Sequence, residues 1–225
     1  LDWIGELCQY RDFPVEKFAR IVPSTTVVGR VSRAAAQHCG LPPELPVVAG
    51  GMDTACAALA VGAIAPGTAF EMSGTSGGIG VISEQPGSEQ VLGAAPHLFD
   101  GLFINHAPMS AAGASLNWFK EEMCLPEQQE AEEKNVSPYE IMEREVMALG
   151  DEPTGLLFLP YLAGERAPVW DPKARGAMLG LTLATSRAQM IKMVMEGVGY
   201  ALRQNIELAR AGGLEVGDLR SCGGG

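Results

Sequence analysis

Residues 46–83 constrain the fold of this chain more than any other stretch of its sequence. An apolar run predicts a buried strand over residues 46–49, and a Gly-Gly pair then leads to Asp53, just before a helix predicted for residues 54–61. A Pro-Gly break follows, and two further predicted strands flank a run of glycine, serine and threonine at residues 73–78. An acid at the end of a strand, with a glycine-rich hairpin after it, suggests a carboxylate that acts beside a bound phosphate.

The composition disfavours several classes of partner. The 225 residues carry a formal net charge of −11, which argues against nucleic acid or an anionic membrane, because both favour basic surfaces. A nucleotide is compatible with this charge, since backbone amides and Mg²⁺ can hold it. The longest apolar run, residues 55–65, is too short to cross a membrane. The five cysteines include no C-x-x-C pair, which favours a reducing, cytoplasmic location and predicts neither a disulfide framework nor a protein metal site.

The rest of the chain predicts an α/β fold with a mixed sheet. Strands are predicted for residues 68–72, 78–83, 103–107, 155–161 and 218–222, and helices for residues 110–122 and 187–211, with another opening at Ser137-Pro138. The acidic run at residues 126–135 is expected to be a surface loop or a solvated helix. A long loop punctuated by proline and glycine is predicted for residues 163–181.

Asp53 is the strongest candidate for a chemical role. It could be a helix cap, which would stabilise the helix by about 1 kcal/mol, or a general base directed into a cleft at the end of a strand. The hairpin favours the second interpretation, because Gly74, Thr75 and Ser76 offer hydrogen-bond donors without bulk. Together they suggest transfer of a phosphoryl group to a substrate hydroxyl that Asp53 deprotonates.

Two more glycine sites could lie against a nucleotide. Gly113 comes near the start of its predicted helix, with Asn117 one turn later. This glycine either permits close packing or lets a phosphate approach the positive end of the helix dipole. Three consecutive glycines, Gly223, Gly224 and Gly225, follow the last predicted strand and form the kind of loop that lies against a nucleotide.

Other motif classes fit less well. The hairpin also matches G-x-S-x-G at Gly74, Ser76 and Gly78, the nucleophile elbow of α/β-hydrolases, but that motif needs a helix where residues 78–83 predict a strand. The sequence contains neither a Walker G-x-x-x-x-G-K-[ST] motif nor a G-x-G-x-x-G motif after a strand. The three cysteines nearest these sites are interpreted as small buried apolar residues: Cys56, Cys124 and Cys222.

Five motifs, in order along the chain, resemble those of the FGGY family of carbohydrate kinases, most closely its xylulokinase-like branch. PVVAGGMDTACAALAVGAIAPG is similar to the segment around the family's catalytic aspartate, and MSGTSGGIGVIS to its phosphate hairpin. YLAGERAPVWDPKARGAMLGLTL resembles the loop between the lobes. GLTLATSRAQMIKMVMEGVGYALRQNIE resembles the C-terminal signature, and RSCGGG the nucleotide-binding glycine turn. The resemblance covers essentially the whole chain.

The resemblance implies the two-lobed, actin-like (ribonuclease H-like) ATPase fold shared with hexokinase, with ATP and Mg²⁺ in the cleft. Residues 1–62 would end the N-terminal, sugar-binding lobe, and residues 63–225 would form most of the C-terminal, ATP-binding lobe. The implied site residues are Asp53 as the base, Gly74, Thr75 and Ser76 at the β- and γ-phosphates, Gly113 and Asn117 on the α-phosphate and ribose side, and Gly223, Gly224 and Gly225 beside the adenine. The resemblance assigns no role to Glu165 and Arg166, for which an ion pair that holds the loop between the lobes is the simplest expectation.

The implied activity is ATP-dependent phosphorylation of a small sugar or polyol, with a ketose such as xylulose favoured and a homodimer as the assembly seen in many relatives. Most of the N-terminal lobe and the part after the triple glycine are absent from the sequence, so this piece alone is expected to be inactive. The alternative is an ATP-binding sensor of the same superfamily that transfers no phosphate. The third hypothesis is a hydrolase in which Ser76 is the nucleophile.

Overall fold

The computed structural model describes residues 3–11, 14–87 and 92–224. The first part of the chain forms a short helix α1 (Gly5–Tyr10), a 3-10 turn (Val15–Lys17) and a two-stranded antiparallel ribbon of β1 (Val27–Arg30) and β2 (Pro46–Val48). Helix α2 (Arg33–Cys39) connects these two strands. The side chain of Ser32 accepts a hydrogen bond from the N–H of Ala35 and so caps the start of α2.

A five-stranded mixed sheet forms the centre of the remaining chain. Its strands are β3 (Ala69–Ser73), β4 (Gly77–Ser83), β5 (Gly93–Pro96), β6 (Phe103–Met109) and β9 (Leu219–Gly223), in the spatial order β5-β6-β4-β3-β9. All neighbours pair antiparallel except β3 and β9, which run parallel in the register Ala69 to Leu219. Because β9 runs parallel to β3, the C-terminal end of β9 lies beside the C-terminal end of β3, where the hairpin begins.

Helices α3 (Asp53–Ala60) and α7 (Arg187–Ala211) pack on opposite faces of this sheet. Helices α4 (Gly113–Met123) and α6 (Pro138–Met147), which α5 (Leu125–Lys134) connects, pack against α7 together with a small antiparallel pair of β7 (Leu157–Leu159) and β8 (Ala177–Leu179). Helix α7 starts with a capping box, in which Ser186 and Gln189 each accept a hydrogen bond from the other residue's backbone N–H.

Successive side chains along each strand point to opposite faces of the sheet, and both faces are apolar. On one face Ala69, Ile79 and Val81 pack in a cluster with Ala209 of α7. On the other face Phe70, Ile82 and Ile104 pack with the small residues Ala55 and Ala58 of α3. A third cluster joins α4, α6, α7 and β7 through residues that include Phe119, Met142, Phe158 and Ile191. These three clusters fix the elements that carry the candidate site.

The predicted α/β class and most predicted elements are confirmed, with several differences. Strand β2, which was predicted to be buried, is exposed along its length. Strands β5 and β8 were not predicted, and β8 lies within the stretch predicted to be a long loop. The acidic run at residues 126–135 is mostly helical as α5, but Glu127 within it is buried and pairs with Arg187, so the stretch is not simply a solvated surface. Within the described residues, no helix is long and apolar enough to cross a membrane.

The cysteine prediction is correct in part. All five cysteines are free thiols. Cys124 is buried, and burial, with a smaller contribution from Glu127, raises the pKa of its thiol to about 11, so it stays protonated and acts as an apolar residue. Cys222 is half-buried, whereas Cys56 is exposed on α3, which makes the prediction of a buried Cys56 wrong. The helix buries Ala55 and Ala58 against the sheet, and Cys56 lies on another side.

Candidate nucleotide and phosphoryl-transfer site

The predicted hairpin forms at the end of β3. Strands β3 and β4 take up Ser73, Gly77 and Gly78, so the turn has three residues, 74–76, rather than the six of the glycine, serine and threonine run. The N–H of Gly74 donates to the carbonyl oxygen of Ser76 at 2.8 Å. Because a strand and not a helix follows the turn, the structure lacks the geometry of a hydrolase nucleophile elbow at Ser76.

The turn presents hydrogen-bond donors to the surface. Thr75 and Ser76 are exposed, and neither their backbone N–H groups nor their hydroxyl groups donate to another part of the described chain. Gly74 leaves open space, since an added Cβ atom would come no nearer than 4.0 Å to another heavy atom, the carbonyl oxygen of Ser76. Unpaired donors without bulk around them are what a bound anion such as a phosphate requires.

Helix α4 holds one side of this turn. The N–H of Gly113 donates to the carbonyl oxygen of Gly74 at 2.9 Å, and the N–H of Ala114 donates to that of Thr75 at 3.1 Å. A Cβ atom on Gly113 would lie 2.5 Å from the same Gly74 oxygen, so only glycine permits this approach. The structure thus supports the close-packing interpretation of Gly113, because the first N–H groups of α4 bind the hairpin and are not free for a phosphate.

Strand β9 holds the other side. Gly223 pairs with Ser73 in the parallel ladder, and the N–H of Gly224 donates to the carbonyl oxygen of Ser73 at 3.0 Å. Gly223 has a φ of +114°, and a Cβ atom there would overlap the Ser73 carbonyl, whereas a Cβ atom on Gly224 would meet nothing within 4 Å. Gly224 is therefore open to a ligand. Gly225 lies outside the described residues.

Three separate glycine segments therefore meet at the end of β3. We call the set of Gly74, Thr75, Ser76, Gly113 and Gly224 the glycine cluster. The sequence predicted each segment but not the contacts that join them. Sequence reasoning missed Ser73, whose carbonyl oxygen receives the N–H of Gly224. Its only sequence signal is its place as the first residue of the run at residues 73–78.

Asp53 lies on a different element. It is the first residue of α3, and Met52 occupies the N-cap position without a side-chain capping bond. The Oδ1 atom of Asp53 accepts a hydrogen bond from the N–H of Thr54 at 2.7 Å, and the residue is exposed. Within the described part of the chain Asp53 has no hydrogen bond to the glycine cluster. The structure therefore does not bring this carboxylate into contact with the hairpin.

Glu165, in the loop after β7, binds the segment that precedes α4. It is only 4% exposed, and its Oε1 atom accepts hydrogen bonds from the N–H of Ser110 at 2.8 Å and from its neighbour Arg166 at 2.7 Å. The guanidinium of Arg166 donates to the carbonyl oxygen of Met109 instead of pairing with the Glu165 carboxylate. The expected Glu165–Arg166 ion pair is therefore wrong. Burial, and then the charge of Glu165, raise the pKa of Tyr161 nearby.

His106 of β6 is a second titratable group near this loop. Its Nδ1 atom is buried and has no hydrogen-bond partner in the described chain. Burial, followed by the positive charge of Arg166, lowers the pKa of His106 below its ordinary value of 6.5. The imidazole is therefore neutral near pH 7.

Asn117 lies on α4 one turn after Gly113 and belongs to a polar group that the sequence did not reveal. Its Oδ1 atom accepts from Lys120 Nζ at 2.7 Å and from the Tyr139 hydroxyl at 2.9 Å. Its Nδ2 atom donates to Glu121 Oε1 at 2.8 Å. Lys120 and Glu121 follow Asn117 at helical spacing, which could have suggested this contact, but Tyr139 arrives from α6 and could not be placed by pattern.

Comparisons with known proteins assign the chain to a protein family. A family model described as the FGGY family of carbohydrate kinases, C-terminal domain, matches residues 70–225, and the N-terminal domain model of the same family matches residues 1–60. The chain belongs to the FGGY family of carbohydrate kinases. The resemblance inferred from the five motifs is confirmed.

The FGGY relatives of this chain include enzymes named gluconokinase, xylulose kinase and ribulokinase. A gluconokinase of Bacillus subtilis (strain 168) is 32% identical over 203 residues, which are 90% of this chain and 40% of the relative. A xylulose kinase of the same organism is 31% identical over 228 residues, covering 100% of this chain and 43% of the relative. The chain thus spans about 40% of the length of the curated relatives that it matches.

The structural comparison confirms the predicted fold class for this FGGY chain. The crystal structure of xylulose kinase from Rhodospirillum rubrum matches with a TM-score of 0.79 and 29% sequence identity, covering 96% of this chain and 42% of that one. The fold is the actin-like ATPase fold of the FGGY sugar kinases.

Proposed function

We propose that the full-length protein is an ATP-dependent kinase that phosphorylates a hydroxyl group of a small sugar or polyol. The observation that carries this proposal is the exposed turn of Thr75 and Ser76, whose donors lack partners in the described chain and which α4 and β9 hold in place. A rigidly held set of open donors suits a transferring phosphoryl group, because phosphoryl transfer depends chiefly on positioning and charge stabilisation.

The open surfaces fit ATP. Gly74 and Gly224 both leave room for a ligand. In this proposal the β- and γ-phosphates bind at Gly74, Thr75 and Ser76 and the adenine lies beside Gly223, Gly224 and Gly225, as the resemblance to the family implies. Gly113 would hold the hairpin against α4 on the α-phosphate side, with Asn117 near the ribose.

Mg²⁺ would arrive with the nucleotide. Across the described ranges, no group of three or more His, Cys, Asp or Glu side chains could hold a metal ion by itself. Mg²⁺ needs no such group when phosphate oxygens and one or two carboxylates supply its ligands, and the bound ion neutralises charge on the transferring phosphate.

Asp53 is proposed as the general base. Its exposed carboxylate has one oxygen bound to the N–H of Thr54, which fixes the orientation of the group at the start of α3. In this proposal residues 1–62 belong to the lobe that binds the sugar and residues 63–225 to the lobe that binds ATP. Closure of the lobes around the ligands would bring the sugar hydroxyl to Asp53 and exclude water.

The proposed substrate is a ketose such as xylulose, after the relatives named xylulose kinase. Gluconate is the second candidate, because a relative named gluconokinase has similar identity to this chain. The test is ADP release by the full-length protein with ATP and Mg²⁺ against a panel of ketoses, aldoses, polyols and sugar acids.

Release that depends on one member of this panel would support the kinase and identify its substrate. ATP binding without sugar-dependent release from any member would favour the ATP-binding sensor. Acylation of Ser76 by an acyl-transfer inhibitor would instead favour a hydrolase, which the strand after the turn disfavours.

A further inference from the structure

Two polar side chains, Asn117 and Lys120, continue along α4 from Gly113 of the glycine cluster. Gly113, Asn117 and Lys120 are spaced four and three residues apart, so they lie along one face of the helix. Gly113 touches the hairpin, and Lys120 lies roughly 10 Å further along the helix axis. In the proposed function the α-phosphate and ribose lie on the Gly113 side of the hairpin, and Asn117 is the next polar side chain on this face of α4.

The orientation of the Asn117 amide follows from its partners. The ammonium of Lys120 can only donate, so the atom facing it at 2.7 Å must be the amide oxygen. The nitrogen faces Glu121, whose oxygen accepts from it at 2.8 Å. This assignment leaves no ambiguity between the two ends of the amide.

The amide has one free position. Lys120 and the Tyr139 hydroxyl both donate to Oδ1, which occupies both of its lone pairs. Of the two hydrogens on Nδ2, only one has an acceptor, Glu121, in the described chain. Asn117 can therefore offer a ligand one N–H donor and no acceptor, and its partner must be an oxygen atom that accepts.

Lys120 and Tyr139 also contact each other directly. The Lys120 ammonium lies 3.3 Å from the Tyr139 hydroxyl and 4.8 Å from the centre of its ring. Within the described residues Lys120 forms no ion pair with a carboxylate; the Glu121 carboxylate binds the other end of the Asn117 amide instead. A positive charge next to the Asn117 amide makes that amide a better donor to a negatively charged or polar ligand.

We propose that Lys120 and Tyr139 are positioning residues for nucleotide binding, which hold the Asn117 amide so that its free N–H donates to an oxygen of the ribose and α-phosphate portion of ATP. This inference rests on the proposed function, since it takes the glycine cluster as the site of the terminal phosphates. It assigns residues of α4 and α6 to nucleotide affinity and leaves the transfer step to the hairpin and Asp53.

The test compares variants of the full-length protein by the Kd for ADP and by steady-state kinetics. Loss of a hydrogen bond that involves a charged group should raise the Kd for ADP and the KM for ATP about tenfold in Lys120→Met. Tyr139→Phe, which removes one neutral hydrogen bond, should raise them about threefold. The kcat and the KM for the sugar should stay unchanged in both variants. Lys134→Met, which removes an exposed lysine of α5, is the matched control and should bind ADP as the wild type does.

A double-mutant cycle separates positioning from direct contact. If Lys120 acts through Asn117, then Lys120→Met should cause no further loss of ADP affinity in an Asn117→Ala background. A full tenfold loss in that background would overturn the positioning role. Lys120→Arg keeps a cationic donor and should retain most of the affinity, which gives a readout if Lys120→Met folds poorly.

The remaining outcomes distinguish this inference from the proposed function. If the wild type binds ADP and phosphorylates a sugar while Lys120→Met binds ADP equally well, the inference fails and the proposed function stands. If the wild type binds neither ATP nor ADP, both fail together.

Discussion

The backbone N–H of Gly113 donates to the carbonyl oxygen of Gly74 at 2.9 Å, and a Cβ atom on Gly113 would lie 2.5 Å from that oxygen. Two segments almost forty positions apart are thus joined through backbone atoms alone. The turn that carries Thr75 and Ser76 depends on a glycine in another element for its position.

Gly113→Ala should therefore impair nucleotide binding more than folding. The methyl group must push the hairpin away from α4, which misplaces the donors of Thr75 and Ser76, and we expect the KM for ATP to rise at least about tenfold. Steady-state kinetics of the full-length protein would measure this.

The matched control is Gly199→Ala within α7. An added Cβ atom there would meet nothing within 4 Å, so this change should stabilise the helix by about 1 kcal/mol and leave the KM unchanged. A Gly113→Ala variant with the wild-type KM for ATP would show that the hairpin does not need this approach.

Gly223 and Gly224 should respond differently to alanine. At Gly223 the positive φ and the overlap with the Ser73 carbonyl predict a loss of about 2 kcal/mol or more in the free energy of unfolding. At Gly224 the methyl group meets nothing, so stability should change by less than about 0.5 kcal/mol while the KM for ATP rises. Thermal unfolding and ATP kinetics of both variants would check this. Equal destabilisation at the two positions would contradict it.

Sequence reasoning found the parts of this site but not their arrangement. The glycine run, the glycine at the start of α4 and the glycines after β9 each carry a compositional signal that a nucleotide site explains. Their meeting depends on the parallel pairing of β9 with β3, residues separated by some 150 positions, which no local pattern encodes. The resemblance to the FGGY family supplied that arrangement as an expectation.

Burial was the least predictable property. The sequence around Glu127 has many acids and indicates a solvated face, yet Glu127 is 1% exposed because Arg187 from the start of α7 reaches it at 2.5 Å. The expected Glu165–Arg166 ion pair was wrong for the same reason, because Glu165 and Arg166 bind Ser110 and Met109 instead. In both cases a partner from a distant element decides the environment of the side chain, and spacing along the chain does not show that partner. The prediction for Cys56 was wrong because α3 buries Ala55 and Ala58 and leaves Cys56 exposed.

Arg187→Met should destabilise the protein strongly. It would leave the buried carboxylate of Glu127 without its cation, and removing one partner of a buried pair costs about 3 kcal/mol or more. Urea unfolding of the full-length protein would measure the change. The double variant Arg187→Met with Glu127→Gln removes the unpaired charge and should recover part of the loss. If the single variant is as stable as the wild type, the pair contributes nothing to folding.

His106 should make stability depend on pH in one direction. Its pKa in the folded protein is below the ordinary 6.5, so the unfolded chain binds more protons as the pH falls below that value. The stabilising contribution is complete above pH 6.5 and is lost as the pH falls through the lower pKa of the folded state.

Accordingly, the fall in Tm between about pH 7.5 and about pH 5.5 should be smaller in His106→Asn than in the wild type. Exposed His38 provides the matched control as His38→Asn, whose fall in Tm should equal that of the wild type. A fall in His106→Asn as large as in the wild type would rule out this histidine as the source.

The central claim is that Asp53 acts on the sugar hydroxyl and not on ATP. Asp53→Asn tests it most directly, because the amide keeps an oxygen for the N–H of Thr54, and so preserves the start of α3, but cannot take up a proton. Using the sugar that the panel identifies, kcat and the Kd for ADP would be measured on the full-length variant. We expect a kcat lower by about 10²–10⁴-fold with the Kd for ADP unchanged. A variant that keeps its kcat, or loses kcat and ADP affinity equally, would contradict Asp53 as the general base.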